Sequence, residues 1–175
     1  MKLLATFDQH ILGYIHENDS ETTYHRNAVR CVVVNDRREV ALVYFARDGF
    51  YKIPGGGVDQ GESLDEALAR EVREETGYTI KHIRELGRIE EDRYYCGMHQ
   101  TSYCYLAEAD QAGELEPTAE EVAAAVELRW VDSITTAIQL MNAATTIDEE
   151  GSGIGFAMMK ARESLILETA EQELA

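Results

Sequence analysis

Glu71, Glu74 and Glu75 are the residues whose types and spacing most directly promise chemistry. On a helix advancing about 100° per residue, Glu71 and Glu75 lie one turn apart on one face and Glu74 sits at its edge. The same stripe carries Leu64, Leu68 and Val72, so two of the acids fall on the side that packs inward. Ionised carboxylates buried together cost several kcal/mol each, roughly, unless an opposite charge accompanies them. With oxygen donors only and no neighbouring Cys or His, the expected counter-charge is a hard divalent cation, Mg²⁺ first and Mn²⁺ as the alternative. Just upstream, Pro54-Gly55-Gly56-Gly57 lets backbone approach the same region, offering carbonyls to a cation or amides to a phosphate. The competing account is a solvated helix laced by Arg70 and Arg73, and on the helix alone that account is the stronger one.

The elements that must position these groups are legible from pattern. Ser63 to Thr76 reads as a helix, with Ser63 and Glu66 in the form of a capping box and Gly77 placed to end it in the left-handed conformation. Residues 28–34 and 39–46 are β-branched, apolar runs joined through Asn35-Asp36-Arg37-Arg38, which predicts a hairpin. Leu3 to Phe7 is expected as a short strand. Tyr78 to Arg88 and Met98 to Ala107 are expected as an antiparallel pair, and Val126 to Val131 as one more strand. Glu108 to Glu121, with Pro117, reads as an acidic surface loop. Asp132 or Ser133 is placed to cap a helix reaching Asn142. A C-terminal amphipathic helix is expected over about residues 154–173, with Met159, Leu165, Ile166 and Ala170 at helical spacing, packed on the domain or on a second copy as a homodimer. The order of elements predicts an α/β fold with a mixed sheet covered by helices, as one domain over residues 1–175.

Composition narrows the partners. The 175 residues hold 33 acidic against 16 basic side chains, a formal net charge of −17, which works against binding a nucleic-acid polymer through its phosphates. A small phosphorylated substrate stays open, because a cation held by carboxylates supplies positive charge locally. Nothing in the first 21 residues reads as a membrane span or an export signal. Cys31, Cys96 and Cys104 are odd in number and lack CxxC spacing, which predicts reduced, buried thiols and a cytoplasmic location. The five histidines show no metal-ligand spacing.

From Gly56 to Tyr78 the chain resembles the Nudix box. That motif runs Gly, five residues, Glu, seven residues, Arg-Glu, an apolar residue, any residue, Glu-Glu, any residue, Gly and an apolar residue. Gly56, Glu62, Arg70, Glu71, Val72, Glu74, Glu75 and Gly77 fall in place, eight positions over 23 residues, and Tyr78 alone departs, an aromatic where an aliphatic residue is commoner. The resemblance extends more loosely over about residues 28–135.

The resemblance implies a Nudix-type α/β/α sandwich around a mixed β-sheet. It implies metal binding by Glu71, Glu74 and Glu75 with the Gly55 carbonyl as a further ligand, and a bracing role for Glu62 and Arg70. The implied reaction is hydrolysis of a diphosphate linkage by water, with the general base drawn from Glu74, Glu120 and Glu121. For Glu120 and Glu121 plain solvation in an acidic loop is the simpler account. Arg30, Lys52 and the Gly56 backbone are the candidates for substrate phosphates, and edge-of-sheet solvation accounts equally well for Lys52. Tyr44, Phe50, Tyr51, Tyr94 and Tyr95 could stack on a base, though aromatics beside strands usually serve packing. The expected substrate is a nucleoside triphosphate, oxidised forms such as 8-oxo-dGTP included, or another nucleoside diphosphate derivative. ADP-ribose, dinucleoside polyphosphates and sugar nucleotides stay in view, as does a non-catalytic nucleotide-sensing module.

Overall fold

The computed structural model describes residues 1–14, 21–114, 122, 125–144 and 153–174. Its strands are β1 (Leu3–Asp8), β2 (Tyr24–Val34), β3 (Val40–Phe45), β4 (Phe50–Lys52), β5 (Tyr78–Arg93), β6 (Met98–Ala112) and β7 (Val126–Val131). Its helices are α1 (Leu64–Thr76), α2 (Ile134–Ala143) and α3 (Ile154–Leu174). Among the described residues the strands form one seven-stranded sheet in the order β1-β5-β6-β2-β3-β4, with β7 on β3. The sheet is mixed: β2 runs parallel to β6 and β1 parallel to β5, while β5–β6, β3–β4 and β3–β7 are antiparallel.

Strand alternation sends successive side chains of β2 to opposite faces, and this divides the core in two. Val29, Cys31 and Val33 meet Ala67, Leu68 and Val72 of α1. Val32 and Val34, with Leu42, meet Ile134 and Met141 of α2 and Met158, Ile166 and Leu167 of α3. The result is an α/β/α sandwich with α1 on one side and α2 and α3 on the other. Its middle layer is buried on both faces, which is why β2 and β3 read as continuous apolar runs.

The hairpin closes where expected, at Val34 opposite Val40, with the Asn35 side chain accepting from the Arg37 and Glu39 amides. Ser133 caps α2 by accepting from the Thr136 amide. Two strands run further than pattern predicts. β5 continues past Arg88 to Arg93 and β6 past Ala107 to Ala112. The extra length of β5, Ile89-Glu90-Glu91-Asp92-Arg93, is charged, but β1 pairs along one edge of it as far as Asp92 and β6 along the other to Arg93, so its backbone groups find partners in the sheet.

The inward face of α3 is the expected one at Ile166 and Ala170 but not at Met159 and Leu165. Ile154, Met158, Arg162, Glu163, Ile166, Leu167 and Ala170 are buried, whereas Met159 and Leu165 stay partly exposed. Arg162 and Glu163 interrupt the apolar stripe, and charges on the sheet beneath compensate them. Of the three thiols, Cys31 and Cys104 are buried as expected, but Cys96 is exposed, because it closes a 3₁₀ turn at Tyr94–Cys96 instead of entering a strand. Among the described residues no helix is long and apolar enough to cross a membrane.

Candidate active site

The geometry of α1 follows from its ends. Ser63 accepts from the Glu66 amide while the Glu66 carboxylate accepts from the Ser63 amide, so the first turn starts at a defined residue. Gly77, at φ 73°, ends the helix and donates its N–H to the Arg73 carbonyl. With both ends set, Leu68 and Val72 are buried and carry Glu71 and Glu75 inward with them. Glu74 stays half-buried at the rim.

The glycine loop is clamped to β2 by backbone. The Val29 N–H donates to the Gly56 carbonyl at 2.9 Å and the Cys31 N–H to the Pro54 carbonyl at 2.9 Å. Contact with α1 is equally close: a Cβ on Gly56 would lie 2.4 Å from the Glu71 carboxylate oxygens. The Gly55 N–H donates to Glu75 Oε2 at 2.7 Å. Lys52 closes the arrangement, its Nζ 2.6 Å from Glu75 Oε1 and donating to the Gly55 carbonyl at 3.2 Å. An ammonium thus occupies a point on which a backbone carbonyl and a carboxylate converge.

Arg70 is the second internal cation. Its guanidinium makes paired bonds to Glu62 at 2.8 and 2.9 Å, and donates to Glu71 at 2.9 Å, to Glu74 at 3.2 Å and to the Gly57 carbonyl at 3.0 Å. The paired bond is the strong form of this interaction, and it holds the Glu62 carboxyl down at about 2. Among the described residues no three His, Cys, Asp or Glu side chains are gathered at ligand distance from one point. In this arrangement Lys52 and Arg70 neutralise the acids, Lys52 at Glu75 and Arg70 at Glu71 and Glu74.

The donor set nevertheless fits a hard divalent ion. It is all oxygen, it includes the Gly55 carbonyl, Glu71, Glu74 and Glu75, and two of its members already share one cation. Burial pushes the Glu75 carboxyl up to about 7, against the lowering pull of Lys52 and of the Gly55 N–H. A carboxyl raised in the folded state contributes stability that is fully present below its unfolded value of about 4.5 and is lost as pH rises through about 7. A divalent ion takes the ionised form. Mg²⁺ affinity measured calorimetrically is therefore expected to rise with pH up to about 7 and then level off; an affinity unchanged between about pH 5.5 and 8 would be the contrary result.

The other candidates fall in different places. Arg30 is 6 % exposed, donating to the Val29 carbonyl and facing Glu163 of α3 at 3.4 Å, so contact with a substrate would require that pair to open. Tyr44 and Tyr51 stack on each other across β3 and β4 at 4.5 Å, as cross-strand packing would have it, and Tyr94 stacks on His10. Glu120 and Glu121 lie outside the described residues. Sequence reasoning passed over Arg26, half-buried on β2, whose guanidinium would be 3.1 Å from a Cβ on Gly57 and which bonds to Gln100 at 3.3 Å. Its signal was the period of two that places it on the same face as Arg30. A cavity of about 760 Å³ lies at the hairpin end of β2 among Asn35, Arg38, Asp132 and Glu171, and none of the loop or box residues lines it.

The site is thus a clamped glycine loop over a helix of carboxylates, carried on an α/β/α sandwich. The family model described as NUDIX domain matches residues 24–144, and the chain belongs to the Nudix family. The match is somewhat wider at both ends than the motif reading. An "NAD-capped RNA hydrolase NudC" of Vibrio parahaemolyticus is 30% identical over 108 residues, 59% of this chain and 40% of the relative. A "Putative 8-oxo-dGTP diphosphatase" of Bacillus subtilis is 34% identical over 68 residues, 39% of this chain and 46% of the relative. The chain thus spans under half the length of these curated relatives. Among solved structures, the MutT protein of Bacillus halodurans matches with TM-score 0.53 at 25% identity, covering 66% of this chain and 72% of that one. A NUDIX hydrolase from Nitrosomonas europaea matches with TM-score 0.56 at 17% identity, covering 80% and 91%, a likeness of fold alone.

Proposed function

We propose that this protein is a divalent-metal-dependent pyrophosphohydrolase that cleaves the diphosphate linkage of a nucleoside triphosphate or another nucleoside diphosphate derivative. The observation that carries this reading is the convergence of the Gly55 carbonyl and the Glu75 carboxylate on one cationic atom, Lys52 Nζ, beside Glu71. Gly55, Glu71, Glu74 and Glu75 hold the ion, Mg²⁺ by preference. When bound, the ion polarises phosphate oxygens and lowers the pKa of water. Glu62 and Arg70 brace loop against helix. Arg26 beside Gly57 and the Lys52 ammonium, once released from Glu75, supply positive charge to the substrate's phosphates. Glu74, half-buried at the rim, is the described candidate for collecting the water's proton, with Glu120 and Glu121 as the alternatives from the acidic loop. The three free thiols agree with a reducing compartment such as the cytoplasm.

The substrate class is set by experiment. Mg²⁺-dependent release of phosphate and pyrophosphate is measured from nucleoside triphosphates, 8-oxo-dGTP, ADP-ribose, dinucleoside polyphosphates and sugar nucleotides. Because the Vibrio relative is by name a capped-RNA hydrolase, NAD-capped RNA joins the panel. The expected result is turnover of a small nucleotide that Glu74→Gln and Glu75→Gln both suppress. Binding of Mg²⁺ and nucleotide with no turnover anywhere would replace the enzyme by a sensing module.

A further inference from the structure

Ile53 follows the last residue of β4, whose ladder with β3 stops at Val43 opposite Lys52. It is fully buried, and a buried N–H without an acceptor is costly. The acceptor comes from 110 residues away: Glu163 Oε2 of α3 takes the Ile53 N–H at 2.8 Å. The other oxygen of Glu163 accepts from Arg162 at 2.7 and 3.1 Å and faces Arg30 Nε at 3.4 Å. Arg162 in turn bonds to Glu91 of β5 at 3.2 Å. Glu91, Arg162 and Glu163 are no more than 3 % exposed, so this chain of charges is sealed between sheet and helix.

The glycine loop is therefore held from both faces of the sheet. Glu163 of α3 takes the Ile53 N–H from one side, and Glu75 of α1 takes the Gly55 N–H from the other. Arg30 lies beneath, so close that a Cβ on Gly55 would sit 3.0 Å from its Cα. The two anchors differ in one respect. Glu75 belongs to the proposed ligand set and must turn toward a metal, whereas Glu163 has no such second duty. α3 also lies beyond residues 24–144, the stretch matched by the family model.

We propose that Glu163 is a positioning residue for the metal loop: from the C-terminal helix it fixes the Ile53 backbone, and through it the direction of the Gly55 carbonyl. This rests on the reading of Gly55 as a metal ligand. Glutamine cannot replace Glu163, because one amide has a single acceptor and two sets of donors face it. The charged Arg162 contact takes that acceptor and the NH₂ is left against the Ile53 N–H.

The test compares Glu163→Gln with Glu91→Gln, which weakens the same buried network at Arg162 without touching the loop. Amide exchange at Ile53 and Gly55 in the metal-free protein, Mn²⁺ affinity by titration, and kcat and KM on the best substrate are measured. In Glu163→Gln the Ile53 amide is expected to lose protection, Mn²⁺ binding to weaken by about 10-fold and kcat to fall by at least that factor with KM little changed. In Glu91→Gln, metal affinity and kcat are expected to stay within about 3-fold even where its melting temperature falls as far. Equal losses in both variants would reduce Glu163 to a helix-docking residue, and unchanged Mn²⁺ affinity in a folded Glu163→Gln would overturn the proposal. An Ile53 amide that exchanges freely in the wild-type protein would overturn it too, whether or not either variant folds. Failure of the wild-type protein to bind Mn²⁺ would instead overturn the metal reading.

Discussion

Glu75→Gln is expected to lower metal-dependent turnover by about 10³-fold, equivalent to about 4 kcal/mol of transition-state stabilisation, while leaving the protein folded. The side chain is 2 % exposed and satisfies the Gly55 N–H and Lys52 together. Glutamine keeps the shape and one acceptor but removes the charge that a divalent ion requires. Burial already raises the Glu75 carboxyl to about 7, so at neutral pH the fold bears part of the cost of ionising it, and the amide relieves that cost. Lys52 loses its partner but is partly solvent-exposed and can turn to water. Steady-state kinetics with a thermal melt reads both effects. A variant that kept wild-type turnover would remove Glu75 from the site, and one that failed to melt cooperatively would make its role structural.

Gly55→Ala is expected to be the most damaging single change to stability in the loop, at about 3 kcal/mol. Gly55 sits at φ 138°, a region that side chains rarely adopt, and an added Cβ would lie 2.2 Å from the Val29 carbonyl oxygen. Neither atom can yield, since the obstacle is the backbone of β2 inside the sheet. Gly56→Ala makes the comparison informative. There the Cβ would meet the Glu71 carboxylate at 2.4 Å, the end of a side chain that can rotate away. Its loss is expected in metal affinity and rate more than in stability. Urea denaturation of the two variants in metal-free buffer measures this, and a Gly55→Ala protein as stable as Gly56→Ala would show that the loop gives way more easily than its backbone contacts imply.

The helix of carboxylates was legible because all its determinants are local. Ser63, Glu66 and Gly77 set its ends, and the apolar stripe then dictates which acids turn inward. The hairpin at Asn35 and the strand at Val126–Val131 were legible for the same reason: turn chemistry and apolar runs act within a few residues. β5 was read too short because the charged run after Ile89 is a strand only by virtue of its neighbours β1 and β6. The inward face of α3 was legible only at Ile166 and Ala170, because Arg162 and Glu163 look like solvent-facing charges until Arg30 and Glu91 are brought beneath them.

By itself the sequence determined the α/β class, the glycine loop and the acids that follow it, since local propensity and fixed spacing suffice for those. Tertiary structure alone decided what Lys52, Arg30 and Arg26 are paired with. Lys52 sits on Glu75 and Gly55, Arg30 is withdrawn to Glu163, and Arg26 stands beside Gly57. These pairings join residues up to 133 positions apart in the chain, Arg30 with Glu163 being the longest. Electrostatic energy depends on distance and burial in the folded protein, and neither quantity is carried by the order of residues along the chain.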